Sequence, residues 1–111
     1  MSDQRLPRNR RMTERHQFVR LFDQPIVYKS RVFQAFWKVC DEKKSRLGIT
    51  IKGKLSSVWR ARVKRTIREW FRKTDKFNGE SIDLNIVFNI SNKTMTYSLL
   101  DQLKSSLDTW G

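Results

Sequence analysis

The stretch that decides the fold is RLGITIKGKLSSVWRARVKRTIREWFRK, residues 46–73, followed after a short break by IDLNIVFNI, residues 82–90. In its first seven residues Leu47, Ile49 and Ile51 alternate with Gly48, Thr50 and Lys52, the period of two that marks a strand. Gly53 to Ser57 reads as a loop, and Ser56 or Ser57 is placed to cap the next element. From there to about Lys73 the period changes. At about 100° per residue, Trp59, Val63, Ile67, Trp70 and Phe71 fall on one stripe, which predicts a helix. Asn78-Gly79 marks a turn. Ile82, Leu84, Ile86, Phe88 and Ile90 then share one face of a second strand, with Asp83, Asn85 and Asn89 on the other. This last strand follows a crossover helix and so could pair parallel to one of the strands before it, because a parallel pair needs a long crossover.

Working outward, a last helix begins near Thr96 and carries Leu99, Leu100, Leu103, Leu107 and Trp110 on one stripe. On the other side, Val32 to Cys40 is rich in aromatic and branched residues and reads as a strand, as does the shorter Ile26 to Tyr28. Asp41 to Ser45 is a polar turn. Thr13 can cap a first helix with Glu14 in its first turn and Phe18, Leu21 and Phe22 at helical spacing, and Pro25 ends it. Residues 1–12 form a basic extended arm. The predicted order is α-β-β-β-α-β-α in one domain spanning residues 1–111. The economical packing is an α+β sandwich, a four-stranded mixed sheet with three helices lying mainly on one face. The first three strands read as a meander.

Twenty-four Lys and Arg stand against eleven Asp and Glu, a formal net charge of +13. Net charges of about 2 to 8 already keep a small domain soluble, so this excess calls for a polyanionic partner. A membrane is the weakest such partner, since no apolar run approaches the roughly 18 residues of a spanning helix. No apolar stretch follows Met1, so no secretory signal is read. Cys40 is the only cysteine. It has no internal disulfide partner, and the reading is a cytoplasmic protein.

The positive charge is concentrated on the central helix and the loop before it. Between Lys52 and Lys73 stand Lys52, Lys54, Arg60, Arg62, Lys64, Arg65, Arg68, Arg72 and Lys73, and the only acid is Glu69. Helical spacing puts Lys64, Arg65, Arg68 and Arg72 opposite the apolar stripe, with Arg62 and Lys73 on one flank and Arg60 on the other. The ladder runs about 25 Å at 1.5 Å per residue. A solvated face normally mixes signs in i,i+4 pairs. One sign alone, dominated by guanidinium forks that match phosphate, points to nucleic acid. Arg10 and Arg11 in the arm add to it. Phe18, Phe22 and Phe36 are aromatics that could stack unpaired bases or simply fill the core. His16 is the sole histidine, no glycine-rich phosphate loop occurs, and Asp41-Glu42 sits in a polar turn. The chain thus offers no nucleophile–base pair and no metal-ligand cluster.

The run Arg60-Ala61-Arg62-Val63-Lys64-Arg65-Thr66-Ile67-Arg68-Glu69-Trp70-Phe71-Arg72 resembles the signature helix of the bacterial ribonuclease P protein, R-N-R-x-K-R-x-x-R-E-x-F-R. Arg46 to Ile51 resembles the strand leading into it. Leu6 to Thr13 with Phe18-Val19-Arg20-Leu21-Phe22 resembles the family's opening, and Thr96 to Leu107 its last helix. Ala61 stands where the family has Asn, and the loop Leu55 to Val58 is one residue short of the family's. The resemblance implies a left-handed crossover around the basic helix, where physical reasoning alone favours a right-handed one. It implies a protein subunit that binds a catalytic RNA and the 5′ leader of precursor tRNA, with cleavage by the RNA and its magnesium ions and no cofactor in the protein. The implied RNA-binding residues are Arg60, Arg62, Lys64, Arg65, Arg68, Arg72, Lys54, Lys52, Arg10 and Arg11. The implied leader-binding residues are Phe18, Phe22, Phe36 and Thr50. The implied protein is a monomer. Three other readings compete: a structural RNA-binding protein of ribosomal type, a protein-only metal nuclease and a DNA-binding regulator. The ordered arginine motif disfavours the first. The missing carboxylate cluster disfavours the second. The third lacks a helix-turn-helix pair before the basic helix.

Overall fold

The strand Ile82–Asn89 is buried at every residue from Ile82 to Phe88, and a strand buried on both faces belongs in the middle of a sheet. The computed structural model, which describes residues 21, 25–39, 45–74, 76–77, 81–91 and 93–111, puts it there. The strands are β1 (Ile26–Lys29), β2 (Phe33–Val39), β3 (Arg46–Lys52) and β4 (Ile82–Asn89). The helices are α1 (Ser57–Lys73) and α2 (Tyr97–Trp110). The four-stranded sheet has the order β1-β2-β4-β3. β1 pairs antiparallel with β2, β2 antiparallel with β4, and β3 parallel with β4.

The meander is therefore half right. β1 and β2 form a hairpin, its turn held by Ser30, whose Oγ accepts from the Val32 and Phe33 amides at 3.1 Å each. β3 does not continue it, because β4 inserts between β2 and β3. The polar residues of β4 give a physical reason. Asp83 and Asn85 are only 2% and 1% exposed, and buried polar groups need partners. β3 supplies both: Arg46 Nε donates to Asp83 Oδ1 at 3.1 Å, and the Asn85 amide donates to Thr50 Oγ1 at 3.2 Å.

The opposite face of the sheet forms the core with both helices. Phe33, Ala35, Leu47, Leu84, Ile86 and Phe88 meet Val63, Ile67, Trp70 and Phe71 of α1 and Leu99, Leu103 and Leu107 of α2. Ser56 caps α1, its side chain accepting from the Trp59 amide, and Thr96 caps α2 through the Leu99 amide. The two helices run in the same direction. Arg62 meets Tyr97 near their first turns, and Thr74 Oγ1 donates to the Gly111 carbonyl at their ends. Trp110 closes that end, stacked on Tyr28 at 5.0 Å and on Trp70 at 5.4 Å. Gly53 steers the chain from β3 into α1 at φ +108°, where a Cβ would lie 2.9 Å from the Ser91 nitrogen. Only glycine fits that position without strain.

Of the first helix expected near residues 13–22, Leu21 alone is described; it is helical and fully buried. The rest of that helix, the arm 1–12, residues 41–44 of the polar turn and the Asn78-Gly79 turn lie outside the described residues. Two helices are thus described in full where three are expected.

Candidate nucleic-acid interface

On α1 the apolar stripe seats against the sheet, so helical spacing alone fixes where the cations go. α2 lies along one edge. The groove between the helices, about 450 Å³, is lined by Thr66, Glu69, Lys73, Asp101, Lys104 and Asp108. Both signs are present there, and the groove is not the polyanion surface. Lys73 belongs to this edge. So does Arg62, whose guanidinium donates to the Tyr97 hydroxyl and lies 5.2 Å from the Trp59 ring centre and 5.1 Å from that of Tyr97.

The edge away from α2 carries Arg60, Lys64 and Arg68 at i, i+4 and i+8. Lys64 is half-buried, a position closer to the sheet than one opposite the apolar stripe. Its ammonium is held below the usual 10.5, first by burial and then by the charges of Arg60 and Arg68. Between the two edges stand the exposed Arg65 and Arg72. Arg65 Nε donates to Glu69 Oε1 at 3.3 Å, so Glu69, the only acid in the segment, offsets Arg65 rather than Lys73. An exposed i,i+4 pair of this kind contributes about 0.3–0.5 kcal/mol, little enough for a phosphate to displace. Lys54 is exposed in the loop before the cap. The result is a convex stripe of mostly like charge, suited to several phosphates.

Phe36 and Thr50 lie on a different surface. Strand alternation turns them away from the helices, to the sheet face that carries Asn85 and Val87. Phe36 is opposite Asn85 in the β2–β4 register, and Thr50 is opposite Val87 in the β3–β4 register. Both are half-buried. Lys52, two residues after Thr50, belongs with this face rather than with the helix ladder. It lines a shallow pocket of about 170 Å³ with Arg31, Gln34, Val87 and Asn89. Arg10, Arg11, Phe18 and Phe22 lie outside the described residues.

Two arrangements escaped the sequence reading. The buried Arg46–Asp83 pair was hidden because alternation alone marks Asp83 as solvent-facing. The Trp59–Arg62–Tyr97 cluster was hidden because spacing within α1 does not show which helix lies beside it. Among the described residues, no group of three or more His, Cys, Asp or Glu is placed to hold a metal ion. Among them also, no helix is long and apolar enough to cross a membrane.

The family model for ribonuclease P matches residues 6–110. The ribonuclease P protein component of Desulfatibacillum aliphaticivorans is 31% identical over 81 residues, covering 72% of this chain and 69% of that protein. The solved RNase P protein of Thermotoga maritima superposes with a TM-score of 0.64 at 22% identity, over 89% of this chain and 96% of that one. A Staphylococcus aureus RNase P protein mutant with defective mRNA degradation activity gives a TM-score of 0.66 at 25% identity, over 92% and 88%.

Proposed function

This chain belongs to the ribonuclease P protein family, and from that premise we propose that the outer face of α1 holds the catalytic RNA while the sheet face of Phe36 and Thr50 holds the 5′ leader of precursor tRNA. The chain is a protein subunit in tRNA 5′ processing, and in its family the RNA subunit carries out the catalysis.

The observation that carries the RNA-binding reading is the single sign of the α1 face. Arg60, Lys64, Arg65, Arg68 and Arg72 stand together with Glu69 as their only acid within the helix. The Lys64 ammonium is disfavoured first by burial and then by the charges of Arg60 and Arg68, and a bound phosphate offsets the repulsion. On the sheet face, an unpaired leader base stacks on Phe36, and the half-buried Thr50 hydroxyl, held in place by the buried Asn85 amide, is the polar group beside it. Positive charge between two polyanions also lowers their repulsion, so less magnesium is needed to bring them together. The magnesium ions belong to the RNA, and the protein acts through affinity as a cytoplasmic monomer. The same reading gives the β3–α1–β4 connection the family's left-handed crossover.

The experiment is a salt titration of binding to transcribed ribonuclease P RNA. Each phosphate contact contributes about 0.7–0.9 to the slope of log K against log salt. Arg65→Ala and Arg68→Ala each weaken binding and flatten that slope. An unchanged slope in both removes the α1 face from the interface.

A further inference from the structure

The Trp59–Arg62–Tyr97 cluster lies where the two parallel helices begin, and its chemistry differs from that of the ladder. Trp59 packs partly against the core. Tyr97, by contrast, is 61% exposed, an unusual position for a large ring on the first turn of a helix. The rings meet edge to face at 4.9 Å. Arg62 lies over both and also donates to the Tyr97 hydroxyl. None of these three contacts is to a carboxylate, so each leaves the guanidinium charge in place. Neither helix has an acid in its first turn, so the two helix N-termini add positive potential here, with Asp101 a turn further along the second helix.

We propose that Tyr97 and Arg62, braced by Trp59, form a stacking platform for one unpaired nucleobase of the bound RNA. A guanidinium fixed against aromatic rings is pre-organised as a flat cationic surface, and bases stack on guanidinium planes as well as on aromatic rings. The platform is one turn from Arg65, so a strand whose phosphates follow the ladder brings a base to Tyr97. Sequence spacing assigns Arg62 to phosphate; the geometry assigns it, with Tyr97, to a base. This inference rests on the RNA-binding reading of α1, and its test separates the two.

The probes are a single-stranded oligoadenylate and an abasic oligomer of the same ribose-phosphate length. Tyr97→Leu weakens oligoadenylate binding by about 5- to 150-fold, the range for one stacked base. It leaves the salt slope and the affinity for the abasic oligomer unchanged. Tyr97→Phe keeps the ring and stays near the wild type. Independently of any variant, a photoreactive base in the wild-type complex crosslinks to Tyr97. Equal losses on both oligomers, no loss on either, or crosslinks that avoid Tyr97 would overturn the platform. The ladder is tested separately: an unchanged slope in Arg65→Ala and Arg68→Ala sinks the RNA-binding reading itself, whatever Tyr97 does.

Discussion

Replacing Lys64 with Gln should stabilise the free protein and weaken its hold on RNA, two effects of opposite sign from one charge. Lys64 is half-buried between Arg60 and Arg68, one helical turn away on either side, and its pKa is lowered by burial and by both arginines. A like-charge i,i+4 pair costs about 0.2–0.5 kcal/mol. Removing two such pairs therefore gains about 0.4–1 kcal/mol, with the loss of burial cost adding in the same direction. For a domain near this size, 1 kcal/mol moves Tm by about 4–8 °C, so a rise of a few degrees is expected. The pH dependence has a definite sign. A lysine whose folded pKa lies below its unfolded value releases its proton first in the folded state. Between the folded value and 10.5 the unfolded chain binds more protons, and stability rises with pH in that window. Below it the ammonium is a constant penalty. Lys64→Gln lacks both the penalty and this alkaline gain. Thermal melts at pH 7 and near pH 10 measure the stability difference, and salt titration against ribonuclease P RNA measures the binding. A lower Tm for Lys64→Gln at pH 7, or an unchanged salt slope, would mean that Lys64 is held by a favourable partner and is not reserved for phosphate.

Phe36→Ala should weaken binding of precursor tRNA by about 1–3 kcal/mol, the stacking contribution of one base, while leaving mature tRNA unaffected; equal losses in a gel-shift comparison would make Phe36 a core residue only. Asp83→Ala removes the carboxylate from the largely buried guanidinium of Arg46, a loss of up to about 3–5 kcal/mol in urea unfolding. Adding Arg46→Met should recover most of that loss, and no recovery would mean that the pair is not what secures β3 to β4. Gly53→Ala places a Cβ 2.9 Å from the Ser91 nitrogen at φ +108°, and a loss of unfolding free energy in urea beyond the roughly 1 kcal/mol typical of a helix-interior change is expected; an unchanged unfolding curve would show that the β3–α1 connection is adaptable.

The elements with an unbroken period were legible in the sequence almost to the residue. β3 ends where its alternation ends, α1 runs from its serine cap to Lys73, and α2 starts after Thr96. Periodicity describes one element at a time, so it gave neither the insertion of β4 between β2 and β3 nor the burial of Asp83. That burial depends on Arg46, thirty-seven residues away in sequence. The site divides in the same way. The cations of α1 were evident from spacing and sign. The neighbour that takes Arg62 out of the ladder is Tyr97 on another helix, and its contact is a matter of packing. Lys52 follows the same logic, since its strand parity, and not its closeness in sequence to the helix, places it beside Thr50.

The proposed division of labour has the protein act on tRNA maturation through RNA affinity, while the bond-breaking step is left, as in its family, to the RNA. Hydrolysis of a phosphodiester needs activated water and a stabilised leaving oxygen, usually through one or two metal ions. The decisive assay is cleavage of precursor tRNA by transcribed ribonuclease P RNA alone, by RNA-free protein alone, and by the two together across magnesium concentrations. We expect slow cleavage by the RNA alone at high magnesium, fast cleavage at low magnesium only with both, and none by the protein alone. Magnesium-dependent cleavage by the purified, RNA-free protein, of precursor tRNA or of an mRNA, would place the chemistry in the protein and overturn this division of labour.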